Sequence, residues 1–382
     1  MAKTKTKTKT KDNKLSVPSY LDKTIKEYGQ ILKKGTDVLK DKQDLKVISI
    51  SPAIDVGLGG GVTEGSWITL TGDPKSGKTT TALQIAKNCQ DDGRVIIYLD
   101  AEGRLKKMNF ELAGLDPEKM IIISPEDKPV SAEQFLDIAY KMLSDPEYHG
   151  AVLIIDSISS LIPQKEIDAD FGSYRAGLPK ILSVFTKKVG QLLPSQRGLV
   201  IAITHFIANT SGYGQAKMAD GGNKIQYQVD TRMEIRGGGG KSAVTAWTDS
   251  NGTQIGQIVN WKVLCSSMGP PGGFIESYIR YGHGIDKVKE IMSLGLDLGF
   301  VSKRGAWYTL DFMLSTETKV AHWPVGMATN LIEKGLTNED MTDEELRKAF
   351  TTQGEFKLYE LLVSNTDIVE LLTKLVMEAI NE

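Results

Sequence analysis

Gly72-Asp73-Pro74-Lys75-Ser76-Gly77-Lys78-Thr79 satisfies G-x-x-x-x-G-K-[ST] at every fixed position. The run before it, Trp67-Ile68-Thr69-Leu70-Thr71, reads as a buried strand. The segment after it, from Thr80 to about Gln90, reads as a helix with Leu83, Ala86 and Cys89 on one face. Strand, glycine-containing turn and helix in that order make a cradle for phosphate. Successive backbone N–H groups point inward, and the helix presents the positive end of its dipole. In such a cradle Lys78 reaches the β- and γ-phosphates of a nucleotide, and the Thr79 hydroxyl sits on Mg²⁺. The expected nucleotide contacts run from Gly72 through Asp73, Pro74, Lys75, Ser76, Gly77, Lys78 and Thr79 to Thr80.

Three more apolar runs end in groups that suit this chemistry. Ala151-Val152-Leu153-Ile154-Ile155 leads into Asp156-Ser157. An aspartate at the carboxyl end of a central strand can hold Mg²⁺ through its water, opposite a phosphate loop, so Asp156 joins Thr79 as a metal-site candidate. Leu99-Asp100-Ala101-Glu102 ends a second strand, where Glu102 is placed to activate a water for in-line attack. Ile201-Ala202-Ile203-Thr204-His205 ends a third, and His205 can hydrogen-bond a γ-phosphate oxygen. A satisfied histidine at a strand end is an equal reading of the last.

The wider composition sets limits. At 382 residues the chain is too long for one ordinary core, and two or more units are expected. No apolar stretch is long enough to cross a bilayer and no secretory leader is recognisable, so a cytoplasmic protein without membrane partners is expected. Cys89 and Cys265 are far apart and read as reduced core residues. The four histidines lack zinc-type spacing, which leaves Mg²⁺ to arrive with a nucleotide. A net charge of −2 argues against nucleic-acid binding by bulk charge and leaves local positive loops open.

Along the chain, residues 1–18 read as a disordered basic tail, alternating lysine and threonine, that either contacts nucleic acid or solubilises. Residues 19–45 hold a helix and linker; Leu21, Ile25, Tyr28 and Leu32 recur at helical spacing. Such a helix docks on its own core or on a neighbouring subunit. Residues 46–283 alternate strands with helical patterns near 80–90, 131–144 and 176–193, which implies a mostly parallel sheet covered by helices on both faces. Residues 229–263 look hairpin-like, with Asp249-Ser250-Asn251-Gly252 as the turn. Residues 284–382 read as an α-rich domain, with a capping pair at Thr342 and Glu345.

With these motifs in place, the chain resembles the RecA family of recombinases, and its phage UvsX-like branch in particular. Ile48-Ser49-Ile50 through Asp55-Val56-Gly57-Leu58-Gly59-Gly60-Gly61 resembles the family's entry into the core. Asp100-Ala101-Glu102 is similar to its catalytic-glutamate motif, and Ile154-Ile155-Asp156-Ser157 with Pro163 and Glu166-Ile167 to the strand that leads to its first DNA loop. Gly221-Gly222-Asn223 resembles the end of the second, while Tyr281-Gly282-His283-Gly284-Ile285 and Gly305-Ala306-Trp307-Tyr308 resemble the start of the C-terminal domain.

The resemblance implies a RecA-like phosphate-loop core and an ATPase that uses Mg²⁺ and depends on DNA. It implies a helical filament on single-stranded DNA, built through the N-terminal helix, that pairs with homologous duplex and exchanges strands. Loading and single-strand-binding proteins are implied partners. Lys78, Glu102 and His205 become the catalytic set, with His205 as γ-phosphate sensor. Tyr174 and Arg175 fall in the first DNA loop, and Lys217, Gly221, Gly222, Asn223 and Lys224 in the second. Two departures stand out. The family's paired lysines, which reach a neighbour's ATP, are replaced across Cys265-Ser266-Ser267, and the adenine-stacking tyrosine falls at Asn109, beside Phe110. The lysine loss and the near-neutral charge keep a rival open: a ring motor or nucleotide-switched regulator of the same fold, without strand exchange.

Overall fold

The Trp67–Thr71 run lies within β3 (Ser66–Thr71), whose six residues are all buried, and the chain around it builds a sheet covered on both faces. The computed structural model describes residues 24, 26–29, 35–106, 111, 113–170, 177–209, 217–221, 225, 228–238, 240–314 and 343–381. Residues 1–45 and 46–382 form separate units. In the first, α1 spans Gly35–Gln43. Of the expected helix over 19–34, residues 24 and 26–28 are helical and most of the rest lies outside the described residues.

In the second unit, β1 (Val47–Ile48) and β2 (Val62–Thr63) pair around α2 (Pro52–Leu58). After β3 come α3 (Lys78–Asp91), β4 (Ile96–Asp100), β5 (Met120–Ile123), α4 (Ala132–Ser144) and β6 (Val152–Asp156). The short α5 (Gln164–Ile167), α6 (Leu178–Gln196) and β7 (Leu199–Thr204) follow. A two-stranded ribbon, β8 (Phe206–Ala208) and β9 (Lys217–Ala219), precedes β10 (Thr231–Ile235), β11 (Val244–Thr248), β12 (Gln254–Cys265), β13 (Phe274–Arg280) and β14 (Gly284–Ile285).

The main sheet runs β14-β13-β12-β10-β3-β7-β6-β4-β5, with β11 added on β12. From β10 to β5 every pairing is parallel; from β10 to β14 every pairing is antiparallel. The inner parallel strands β3, β7, β6 and β4 are buried on both faces, which is why they appear in the sequence as apolar runs. Helix α3 packs Ala82, Leu83, Ile85 and Ala86 into one core, and α4 and α6 pack Phe135, Leu136, Phe185 and Val189 into the other. Helix α4 starts on a capping box, Ser131 with Gln134. The β11–β12 hairpin turns at residues 249–253, where Asp249 Oδ1 accepts from the Asn251 and Thr253 amides at 2.9 Å each.

The C-terminal segment adds a small sheet to the helices its sequence suggests. After α7 (Lys287–Asp297), the strands β15 (Val301–Arg304), β16 (Trp307–Leu310) and β17 (Thr351–Gln353) form an antiparallel sheet. Helices α8 (Asp343–Ala349), α9 (Glu355–Val363) and α10 (Thr366–Asn381) surround it. Strands of three or four residues are too short to print a period-two pattern, and the third arrives some forty residues after the second. Thr342 of the expected capping pair lies outside the described residues. A third apolar core joins this segment to the main sheet. Trp247 of β11 meets Tyr278 of β13 and Tyr359 of α9 edge-on, with centroids 5.7 and 5.4 Å apart. Gly284–Ile285, at the junction, still pairs with β13.

Candidate nucleotide site

The phosphate loop leaves β3 and enters α3 at Gly77, whose φ of 110° is open to glycine and strained for other residues. A Cβ there would also come within 2.3 Å of Ile279 Cδ1. Because Gly77 gives α3 no side-chain cap, the first amides of the helix keep their hydrogen-bonding capacity for a ligand. Lys78 is 5% exposed, and its Nζ donates to the Asp73 carbonyl at 2.9 Å. The Ser76 hydroxyl donates to the same carbonyl at 2.7 Å. Burial pulls the Lys78 ammonium below its ordinary pKa, while Asp156, Glu102 and Asp73 push it back up.

Sheet order explains the rest of the site. The neighbours of β3 on one side are β7, β6 and β4 in turn, so His205, Asp156 and Glu102 come together at one edge although far apart in sequence. Thr79 Oγ1 donates to Asp156 Oδ2 at 2.9 Å, and the Tyr98 hydroxyl donates to the same oxygen at 2.7 Å. Burial raises the Asp156 carboxyl above its ordinary value, the Tyr98 and Thr79 hydroxyls pull the other way, and the Glu102 and Asp100 charges add to the rise. Tyr98 is itself pushed well above a normal phenol, chiefly by burial and then by the Asp156 charge.

Glu102 Oε1 is held by three groups: His205 Nε2 at 3.0 Å, Ser157 Oγ at 3.1 Å and Ser160 Oγ at 3.2 Å. Burial pushes this carboxyl up, but these hydrogen bonds outweigh it, leaving Glu102 below its ordinary value. The remaining ring nitrogen, His205 Nδ1, is buried without a hydrogen-bond partner among the described residues. The His205 amide donates to Ser159 Oγ at 3.1 Å.

The residues present suit a magnesium–nucleotide complex. An ammonium, an uncapped helix start, and a hydroxyl beside a carboxylate lie within one stretch of the sheet edge. A cavity beside the loop is lined by residues 75–80 together with Gln257, Ile279 and Tyr281. Those last three come from the antiparallel strands and the residue after them; no local motif announces Gln257 or Ile279, and Tyr281 reads in the sequence only as the start of the C-terminal domain. Tyr98 was equally silent, because a tyrosine in an apolar strand reads as core.

Several expected contacts have other settings. Tyr174, Arg175, Gly222, Asn223, Lys224, Asn109 and Phe110 lie outside the described residues. Gly221 has φ of 95°, and its amide donates to Asp220 Oδ1 at 2.7 Å. Lys217 is ion-paired with Asp73 in the phosphate loop at 2.8 Å. At the lysine-free turn, Ser266 Oγ donates to the Leu58 carbonyl at 3.0 Å and accepts from the Met268 and Gly269 amides, so the segment is folded back on α2.

A phosphate loop at the end of a central parallel strand, faced by an acid two strands away, defines the class of phosphate-loop nucleotide-binding α/β proteins. A family model described as the RecA N-terminal domain matches residues 17–286. The protein named "Protein RecA" of Helicobacter hepaticus is 32% identical over 301 residues, 76% of this chain and 83% of its own. The Helicobacter pylori protein of that name is 31% identical over 357 residues, 91% of this chain and 93% of its own. For Streptococcus pneumoniae the identity is 29% over 287 residues, 74% of this chain and 70% of the relative. The chain belongs to the RecA family. Membership implies a part in DNA recombination and repair, with ATP and Mg²⁺ as cofactors. Among the described residues no helix is long and apolar enough to cross a membrane.

Proposed function

We propose that this chain is an ATP-dependent homologous recombinase. It assembles as a filament on single-stranded DNA, pairs that strand with homologous duplex and exchanges strands, and hydrolysis releases the product. The meeting of Glu102 and His205 at 3.0 Å, on the sheet edge that also carries Lys78 and Asp156, is the observation that carries this reading. It links the carboxylate suited to activating water with the residue that leads directly into the β8–β9 ribbon.

Lys78 moves from the Asp73 carbonyl to phosphate oxygens. Thr79 and Asp156 hold the metal and its water shell, with Tyr98 orienting the aspartate. Bound Mg²⁺ would offset the charge that develops on the phosphates. Glu102 orients the attacking water and takes its proton. His205 stands where a γ-phosphate oxygen would compete for its ring, so nucleotide state reaches the segment that follows. The residues near 168–177 and 206–224 are the proposed DNA loops, with Tyr174, Arg175, Lys217, Gly221, Gly222, Asn223 and Lys224 as their contacts. The N-terminal helix serves self-association, and the working compartment is the cytoplasm. Histidine at 205 supports the narrower placement on the UvsX-like phage branch.

ATP turnover with and without unstructured single-stranded DNA, at low and moderate salt, tests the reading. Strong stimulation that weakens with salt is the expected result. The folded-back turn at Ser266 favours the second reading, a motor or regulator of the same fold. Turnover indifferent to DNA would select it.

A further inference from the structure

The β8–β9 ribbon is anchored to the nucleotide site at two places, and only the first follows from the catalytic set. Phe206 begins the ribbon directly after His205, which holds Glu102, and the Asp220 amide closes its base on the His205 carbonyl at 2.9 Å. At the far end of the register, Lys217 pairs with Ala208, and Lys217 Nζ reaches both carboxylate oxygens of Asp73 at 2.8 and 2.9 Å. Asp73 is the second residue of the phosphate loop, and its own carbonyl receives Lys78 Nζ. The backbone of Lys217 is also held: its carbonyl accepts from Arg236 Nη2 at 3.2 Å, and the Arg236 guanidinium stacks 4.4 Å from the Phe206 ring centroid.

We propose that Lys217 is a positioning residue that straps the β8–β9 ribbon to the phosphate loop through Asp73, so that nucleotide binding is felt in the ribbon of the same subunit. The inference rests on the phosphate-loop part of the function proposed above and not on strand exchange. Three physical points carry it. First, a carboxylate in a loop that receives a polyphosphate repels it, and the Lys217 ammonium neutralises that charge. Second, Lys78 must leave the Asp73 carbonyl to reach phosphate, so Asp73 belongs to the part of the loop whose hydrogen bonds change on binding. Third, the pair is half exposed, at 55% for Lys217 and 53% for Asp73. An exposed pair shifts an equilibrium by only about two- to fivefold, which suits a contact that responds to binding better than one that cements the fold.

Hydrogen–deuterium exchange of the β8 and β9 amides tests the strap without DNA. It is read in wild type, Lys217→Ala, Lys217→Arg, Asp73→Asn and the Lys217→Ala/Asp73→Asn double variant, each with and without a non-hydrolysable ATP analogue and Mg²⁺. In wild type the analogue changes ribbon exchange. In Lys217→Ala and Asp73→Asn the response of the β9 amides shrinks to the part that His205 transmits, and their basal exchange rises about two- to fivefold. The double variant is no worse than either single, and Lys217→Arg restores the response. A β9 response in Lys217→Ala as large as in wild type, or a wild-type ribbon that ignores the analogue, overturns the strap. Both results are independent of whether single-stranded DNA stimulates wild-type turnover, which is the separate test of the recombinase reading.

Discussion

The His205 ring and the Glu102 carboxylate meet at 3.0 Å across the end of β6, which joins the end of β7 to the end of β4. The Glu102 carboxylate is therefore oriented by the residue that leads directly into the β8–β9 ribbon. Replacing Glu102 with glutamine keeps the size of the side chain and an oxygen acceptor for Ser157 and Ser160, and removes the basic carboxylate. Turnover should fall by about 10²- to 10⁴-fold while nucleotide binding persists. Steady-state ATPase rates and an equilibrium titration with a fluorescent nucleotide check both halves. Because the Glu102 carboxyl lies below its ordinary value of 4.5, it stays ionised across neutral pH. Any loss of turnover between about pH 7 and 5.5 should then survive in a form that does not depend on protonating this residue.

The buried Lys78 ammonium lies among the charges of Asp156, Glu102 and Asp73. Lys78→Ala removes the buried ammonium that faces an incoming polyphosphate and leaves the Asp156 and Glu102 charges to repel it. Hydrolysis should be lost, and nucleotide affinity should drop at least tenfold, about 1.4 kcal/mol or more. The same titration reads the affinity. A variant with full turnover would remove the phosphate-loop argument altogether.

How much of this site could be seen in sequence depended on whether its signal was local. Gly72–Thr79 is contiguous, and Asp156, Glu102 and His205 each end an apolar run, so their positions at strand ends were legible. Their adjacency follows from the order β3-β7-β6-β4, which chain order alone does not dictate. Gln257 and Tyr281 reach the loop from the antiparallel side, and Lys217 reaches Asp73 across 144 positions. Contacts of that kind leave no periodicity and no spacing rule. The C-terminal sheet was missed for a different reason: its strands are shorter than the window in which alternation can be recognised.

Tyr98 makes a contact that a core reading would not suggest. Its hydroxyl and that of Thr79 converge on Asp156 Oδ2, at 2.7 and 2.9 Å. Groups that orient a metal-binding carboxylate from behind commonly affect metal affinity by about tenfold or more. Tyr98→Phe should raise the Mg²⁺ concentration for half-maximal turnover by about tenfold, and the defect should be recovered at saturating Mg²⁺. A Mn²⁺ titration in the presence of nucleotide, followed by electron paramagnetic resonance, gives a readout separate from activity. Unchanged metal affinity would reduce the Tyr98 hydroxyl to a satisfied core group.

Glu290 on α7 is fully buried, and its Oε2 accepts from the Ala53 amide at the start of α2 at 3.0 Å. Its other oxygen accepts from Ser277 of β13, and the Asp55 charge acts on it, Asp55 being held by Ser49 and the Ile50 amide. Burial pushes the Glu290 carboxyl from 4.5 up to about 7, and Asp55 adds to the rise. The Asp55 carboxyl is pushed by burial to about 6. Between about pH 4.5 and 7 the native state therefore holds a proton that the unfolded chain has released. With fewer protons bound when unfolded, stability falls as pH rises through that window. A shift of this size corresponds to a loss of about 3 kcal/mol of stability, absent below the lower value and complete above the upper one. Glu290→Gln keeps an oxygen for the Ala53 amide and cannot ionise. It should match wild type near pH 4.5, exceed it by up to about 3 kcal/mol at pH 8, and leave only the shallower decline due to Asp55. Urea unfolding at several pH values measures the difference. Parallel stability curves for the two proteins would mean that Glu290 ionises in the fold as readily as in the unfolded chain.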